Sequence, residues 1–93
     1  MPRKPKLAID FDGTLFDGKW TGINEVKGQP HPELSRILHR LAHKYDIVVF
    51  SCRAVCLEGR VAIRKWMNYH ALPFHEITDV KPHAVAYIDD KAY

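Results

Sequence analysis

The sequence predicts a small α/β domain built on a parallel sheet. Short apolar, β-branched runs alternate with stretches of helical periodicity, and strands alternating with helices pack as parallel strands joined by right-handed crossovers. Acidic or hydroxyl residues stand at the ends of these runs: Asp10, Ser51 and Asp89. The length of 93 residues allows one modest core and no second lobe, so residues 1–93 are expected to form a single domain.

Leu7 to Asp10 reads as a short buried strand that follows the basic leader of residues 1–6. Residues 13–31 carry Gly13, Gly18, Gly22 and Gly28 and are expected to form turns, a flap-like loop with a small hairpin. Pro32 suits the first turn of a helix. Leu34, Ile37, Leu38, Leu41 and Tyr45 then recur at helical spacing. Ile47-Val48-Val49-Phe50 is a second strand, ending at Ser51. A second helix is expected from Leu57 to Tyr69, with Ala62, Ile63, Trp66, Met67 and Tyr69 as its apolar face. Pro73 to Ile77 is expected as a short edge strand, and Ala84 to Ile88 as the last strand, ending at Asp89-Asp90.

Composition narrows the function classes. The chain is 46% hydrophobic and 27% charged, ordinary for a soluble globular protein. No apolar run has the length of a membrane span, and no apolar segment of signal-peptide type follows the basic start, so a cytoplasmic protein without a membrane partner is expected. The net charge is +3, much of it in the leader. That leader reads either as a solvated tail or as a weak attraction for a polyanionic substrate. Cys52 and Cys56 have no second cysteine pair to complete a zinc site, and a disulfide is not expected in a cytoplasmic chain. His39 and His43 lie four apart on the first helix without a third ligand nearby in sequence, and read as surface residues.

The chemistry concentrates in Asp10-Phe11-Asp12-Gly13-Thr14. Strand alternation points Asp10 and Asp12 to the same side, provided the chain stays extended that far. Two carboxylates in one small volume need a shared proton or a cation, and a hard divalent metal with oxygen ligands is the simplest answer. In a parallel sheet the carboxyl ends of all strands share one edge, where ligands bind. Asp10, Ser51 and Asp89 are thereby gathered, and Lys81 in the loop before the last strand can reach them.

Together these residues resemble the haloacid dehalogenase-like (HAD) superfamily of phosphotransferases. The match is to four ordered motifs over residues 7 to 90: Asp10, Asp12 and Thr14; Val48-Val49-Phe50-Ser51; Lys81; and Ile88-Asp89-Asp90. The resemblance implies a Rossmann-like three-layer domain with strand order 3-2-1-4. It also implies a Mg²⁺-dependent phosphatase acting through an aspartyl-phosphate. Chemistry and family pattern assign the same roles. Asp10 attacks phosphorus, and Asp12 protonates the leaving oxygen and then takes a proton from water. Ser51 hydrogen-bonds a phosphoryl oxygen, and Lys81 neutralises charge on Asp10 and the transferring group. Mg²⁺ is expected on Asp10, on the Asp12 backbone carbonyl and on Asp89, with Asp90 as a further or water-mediated ligand or a capping residue. Arg53 is expected either to reach the phosphate or to form a surface salt bridge. Thr14 is expected to hold the loop, and Trp20 to gate the site or to pack.

The chain departs from larger family members in having no room for a cap domain. The connection from Ile77 to Ala84 must cross about three strand spacings, roughly 14 Å, and six extended residues reach about 20 Å. A capless member with an open site is expected. Its substrate is then a phosphorylated molecule, macromolecular if the site is to be enclosed, with nucleic acid only as a substrate. Whether it works as a monomer or a homo-oligomer stays open. The second reading is a non-catalytic phosphate- or metal-binding domain of the same fold, since the sequence stops three residues after Asp90. A small basic nucleic-acid binder has only net charge behind it.

Overall fold

Elements form where the apolar runs predict them, with shifted ends. In a computed structural model, which describes residues 4–16, 22, 26 and 28–88, the order is β1 (Lys6–Asp10), α1 (Pro32–Leu41), β2 (Asp46–Phe50), a 3₁₀ turn (Cys52–Val55), α2 (Leu57–Tyr69), β3 (Glu76–Thr78) and β4 (Ala86–Ile88). The strands make one parallel sheet in the order β3-β2-β1-β4, as expected. Central β1 buries Leu7, Ala8 and Ile9 in succession, because both of its faces are covered. Its register with β2 runs from Lys6 opposite Asp46 to Asp10 opposite Phe50. Asp10 therefore lies beside the residue that precedes Ser51. On the other side Ile9 pairs with Ile88 of β4.

Both helices pack on one face of the sheet. Leu7, Ile9, Ile47 and Val49 of the strands join Leu34 and Leu38 of α1 and Ile63, Trp66 and Met67 of α2 in one core. This follows from topology, since two successive right-handed crossovers in the same direction lay their helices on the same side. The opposite face carries Ala8, Asp10, Val48, Phe50 and Tyr87, the alternate residues of the same strands. Among the described residues the connection 79–85 runs there, and its Lys81 lines a cleft with Ala8 and Tyr87. The Tyr87 hydroxyl donates to the Pro82 carbonyl across it. Among the described residues no helix is long and apolar enough to cross a membrane.

Local chemistry explains the shifted ends. α1 stops at Leu41, not near Tyr45, because the chain tightens there: Lys44 N–H and Tyr45 N–H both donate to the Leu41 carbonyl. Tyr45 still packs on the core, but from a turn. The α1 N-cap is His31, whose Nδ1 accepts from Leu34 N–H, with Pro32 following it as expected. Tyr69 was expected on the buried face of α2 and is 83% exposed. It lies two residues beyond Met67, a rotation of about 200° around the helix axis, which carries it out of the stripe. Ile37 is likewise outside the stripe of Leu34 and Leu38. β3 begins at Glu76, after Pro73, which has no N–H for the ladder, and after His75, whose N–H donates to the Ile47 carbonyl while its ring Nδ1 accepts from Ile47 N–H at 2.8 Å. β4 begins at Ala86, after Val85 N–H has joined Lys6 O.

Candidate active site

The chain turns sharply after β1, and the turn is anchored from below. Gly13 takes a φ of 83°, a left-handed conformation that glycine adopts without strain. Phe16 N–H returns to Phe11 O at 2.8 Å and Gly13 N–H to Phe16 O at 2.9 Å. Phe11, Leu15 and Phe16 are fully buried, and both rings meet Trp66 of α2 edge-on, at centroid distances of 5.2 and 5.6 Å. This aromatic cluster fixes the loop that carries Asp12, a feature the carboxylate motif alone does not announce.

The two carboxylates have unlike surroundings. Asp10 is half-buried in a small cleft of about 40 Å³ lined by Ala8, Phe50, Lys81, Tyr87 and Ile88. Lys81 therefore stands at the Asp10 cleft, with its ammonium 4.9 Å from the centre of the Tyr87 ring. Asp12 points into a hydrogen-bonding clamp. Ser51 Oγ donates to its Oδ2 at 2.7 Å and Arg53 Nε donates to its Oδ1 at 2.8 Å. Ser51 itself caps the 3₁₀ turn, its Oγ accepting from Arg53 N–H at 3.1 Å. The strand end of β2 thus delivers both donors to one carboxylate.

Arg53 forms a salt bridge, but not at the surface: its side chain is completely buried and pairs with Asp12. Its guanidinium reaches Asp12 with one nitrogen and the Gly22 carbonyl with another, and lies 5.6 Å from the centre of the Phe16 ring. The Ser51 hydroxyl, expected on a phosphoryl oxygen, donates to Asp12, and the residue is nearly inaccessible. Thr14 is buried within the loop, and its hydroxyl has no hydrogen-bond partner among the described residues, so it holds the loop by packing.

Gly59 is the other residue that sequence reading passes over. A Cβ there would sit 1.7 Å from the Arg53 carbonyl oxygen. Its absence lets the first turn of α2 lie directly against the 3₁₀ turn, where Arg60 Nε also donates to the Ala54 carbonyl. A glycine inside a helical pattern was the available signal.

Asp89, Asp90 and Trp20 lie outside the described residues. Among the described residues no group of three or more His, Cys, Asp or Glu side chains is placed to hold a metal. The donors that are present, the Asp10 carboxylate and the Asp12 backbone carbonyl, are hard oxygens of the kind Mg²⁺ takes. The Asp12 carboxylate is committed to Ser51 and Arg53, which leaves its carbonyl as its contribution. Cys52 and Cys56 are free thiols, and His39 and His43 are exposed. No protein-family model, curated protein or solved structure matches this chain.

Proposed function

We propose that the chain is a phosphomonoester hydrolase of the haloacid dehalogenase-like type, acting through an aspartyl-phosphate on Asp10. The observation that supports this most is the division between the carboxylates. One lies in a small cleft lined by Lys81 and Tyr87, and the other is held by Ser51 and Arg53. Pairs of titratable groups in unlike environments take unlike roles. An Asp10 oxygen forms a bond to phosphorus while the bond from phosphorus to the ester oxygen breaks, and Asp12 gives that oxygen a proton. Water then attacks the phosphoryl group, its proton passes to Asp12, and inorganic phosphate leaves Asp10. Lys81 offsets the negative charge gathered at the cleft. Mg²⁺ would be held by Asp10, the Asp12 carbonyl, Asp89 and Asp90, and it supplies charge neutralisation between two anions.

Among the described residues a short connection crosses the Asp10 face of the sheet, so small esters find few enclosing contacts there to orient them. The substrate class is a phosphorylated macromolecule whose own surface closes the site. The test is a screen of sugar phosphates, nucleotides and end-phosphorylated oligonucleotides, with Mg²⁺ and with EDTA. Mg²⁺-dependent phosphate release that is lost in Asp10→Asn is the expected result. EDTA-insensitive turnover, or wild-type turnover in Asp10→Asn, overturns the reading.

One observation favours a second reading, a phosphate- or metal-binding domain without turnover. The Ser51 hydroxyl donates to Asp12 and is not open to a phosphoryl oxygen. Under that reading Mg²⁺ or phosphate binds and no ester in the screen is cleaved.

A further inference from the structure

We infer that Arg53 is the positioning residue for Asp12, holding its carboxylate in one orientation. This rests on the hydrolase reading of the site. A guanidinium has five N–H donors and no acceptor, and it stays charged. Oδ1 of Asp12 faces Arg53 Nε at 2.8 Å, so that oxygen is held as an acceptor. Oδ2 accepts from the Ser51 hydroxyl at 2.7 Å, so two donors on different atoms fix the orientation of the carboxylate.

The placement of Arg53 suits this role better than that of a core filler. A fully buried guanidinium is costly to desolvate, and an apolar side chain of similar length would occupy the same space without that cost. The fork also bridges two points of the segment that follows β1, the Asp12 carboxylate and the Gly22 carbonyl. It thereby ties the acid–base group to the loop beside it. Ser51, as cap of the 3₁₀ turn, sets where Arg53 begins, and the same hydroxyl meets Asp12.

Arg53→Met removes the donors and keeps the bulk; Arg53→Lys keeps the charge and loses the fork. Two readouts separate positioning from mere stability. The first is the set of Asp12 Hα–Hβ couplings by NMR, with amide dispersion as the folding control. The second is kcat/KM for an alkyl phosphate against p-nitrophenyl phosphate, whose leaving group needs little protonation. The expected result is one Asp12 rotamer in the wild type and averaged couplings in the variants. The loss on the alkyl ester should exceed that on the nitrophenyl ester by about tenfold or more. A single Asp12 rotamer in a folded variant, or equal losses on the two esters, overturns the inference. If Arg53→Met does not fold, Arg53→Lys carries both readouts. A wild type that cleaves neither ester counts against the hydrolase reading, while the coupling measurement still decides whether Arg53 positions Asp12.

Discussion

At the scale of single residues, Asp12 is the informative position because its two oxygens meet different partners. Asparagine fits the clamp geometrically: its carbonyl oxygen can face Arg53 Nε and its NH₂ can face Ser51 Oγ, which then accepts. The substitution removes the counter-charge of a buried cation, and the 30% exposure of the Asp12 carboxylate softens the penalty. Asp12→Asn should therefore cost about 1–3 kcal/mol of stability in urea unfolding. It should also lower kcat/KM far more for an alkyl phosphate than for p-nitrophenyl phosphate. Equal losses on the two esters would remove Asp12 from the acid role. The pairing of Asp12 with Ser51 was visible in sequence only as two strand ends on one sheet edge. That Arg53 turns inward could not be read, because a residue two beyond a strand end takes its direction from the turn it enters.

Among the elements, α2 is set by close contacts at each end. Alanine normally favours a helix over glycine by about 1 kcal/mol. At Gly59 the sign reverses, because the added Cβ meets backbone at 1.7 Å and the helix or the 3₁₀ turn must shift. Gly59→Ala should lose about 2–3 kcal/mol, an overpacking cost larger than the propensity gain. The shift should also disturb the Arg53–Asp12 contact. A more stable Gly59→Ala protein would show that the close approach does not exist. At the other end Ala71 holds a φ of 54° while Leu72 N–H closes back to Met67 O at 2.9 Å. This left-handed cap is the ordinary place for glycine. Ala71→Gly should raise stability by about 0.5–1 kcal/mol, the relief of strain exceeding the entropy that glycine adds to the unfolded chain. Melting temperature by circular dichroism decides the sign. The body of this helix was legible from the spacing of Ile63, Trp66 and Met67, whereas Tyr69 and both ends were not. Periodicity reports which residues share a face and says little about where neighbouring backbone touches it.

For the whole molecule the relevant quantity is charge at one sheet edge. The hydrolase reading brings the carboxylates of Asp10, Asp89 and Asp90 to the carboxyl edge, and anions so placed repel each other. Mg²⁺ that binds the folded chain alone stabilises it by mass action, about 2.7 kcal/mol at a hundred times its dissociation constant. Millimolar Mg²⁺ should accordingly raise the melting temperature of the wild type, and Asp10→Asn should blunt the shift. An unchanged melting curve in Mg²⁺ would remove the metal from the site. The strand order and the parallel sense of this sheet are as read from alternation and resemblance. Which face each helix takes was not read from sequence; among the described residues both helices lie on one face and the connection 79–85 on the other.

The amino-acid sequence by itself determined the strands, the helices, their order along the chain and the edge at which Asp10 and Ser51 meet. These follow from local periodicity and from the fact that parallel strands align their carboxyl ends. Tertiary structure alone decided how the meeting residues face one another. Asp12 turns to Ser51 and Arg53, Lys81 comes to the cleft of Asp10, and Gly59 admits the Arg53 carbonyl. The physical reason is that side-chain direction after a strand end depends on packing between segments distant in sequence. Asp12 and Arg53 are 41 residues apart, and their contact exists only once the sheet has set β1 beside β2 and the aromatic cluster has pinned the turn between Phe11 and Phe16.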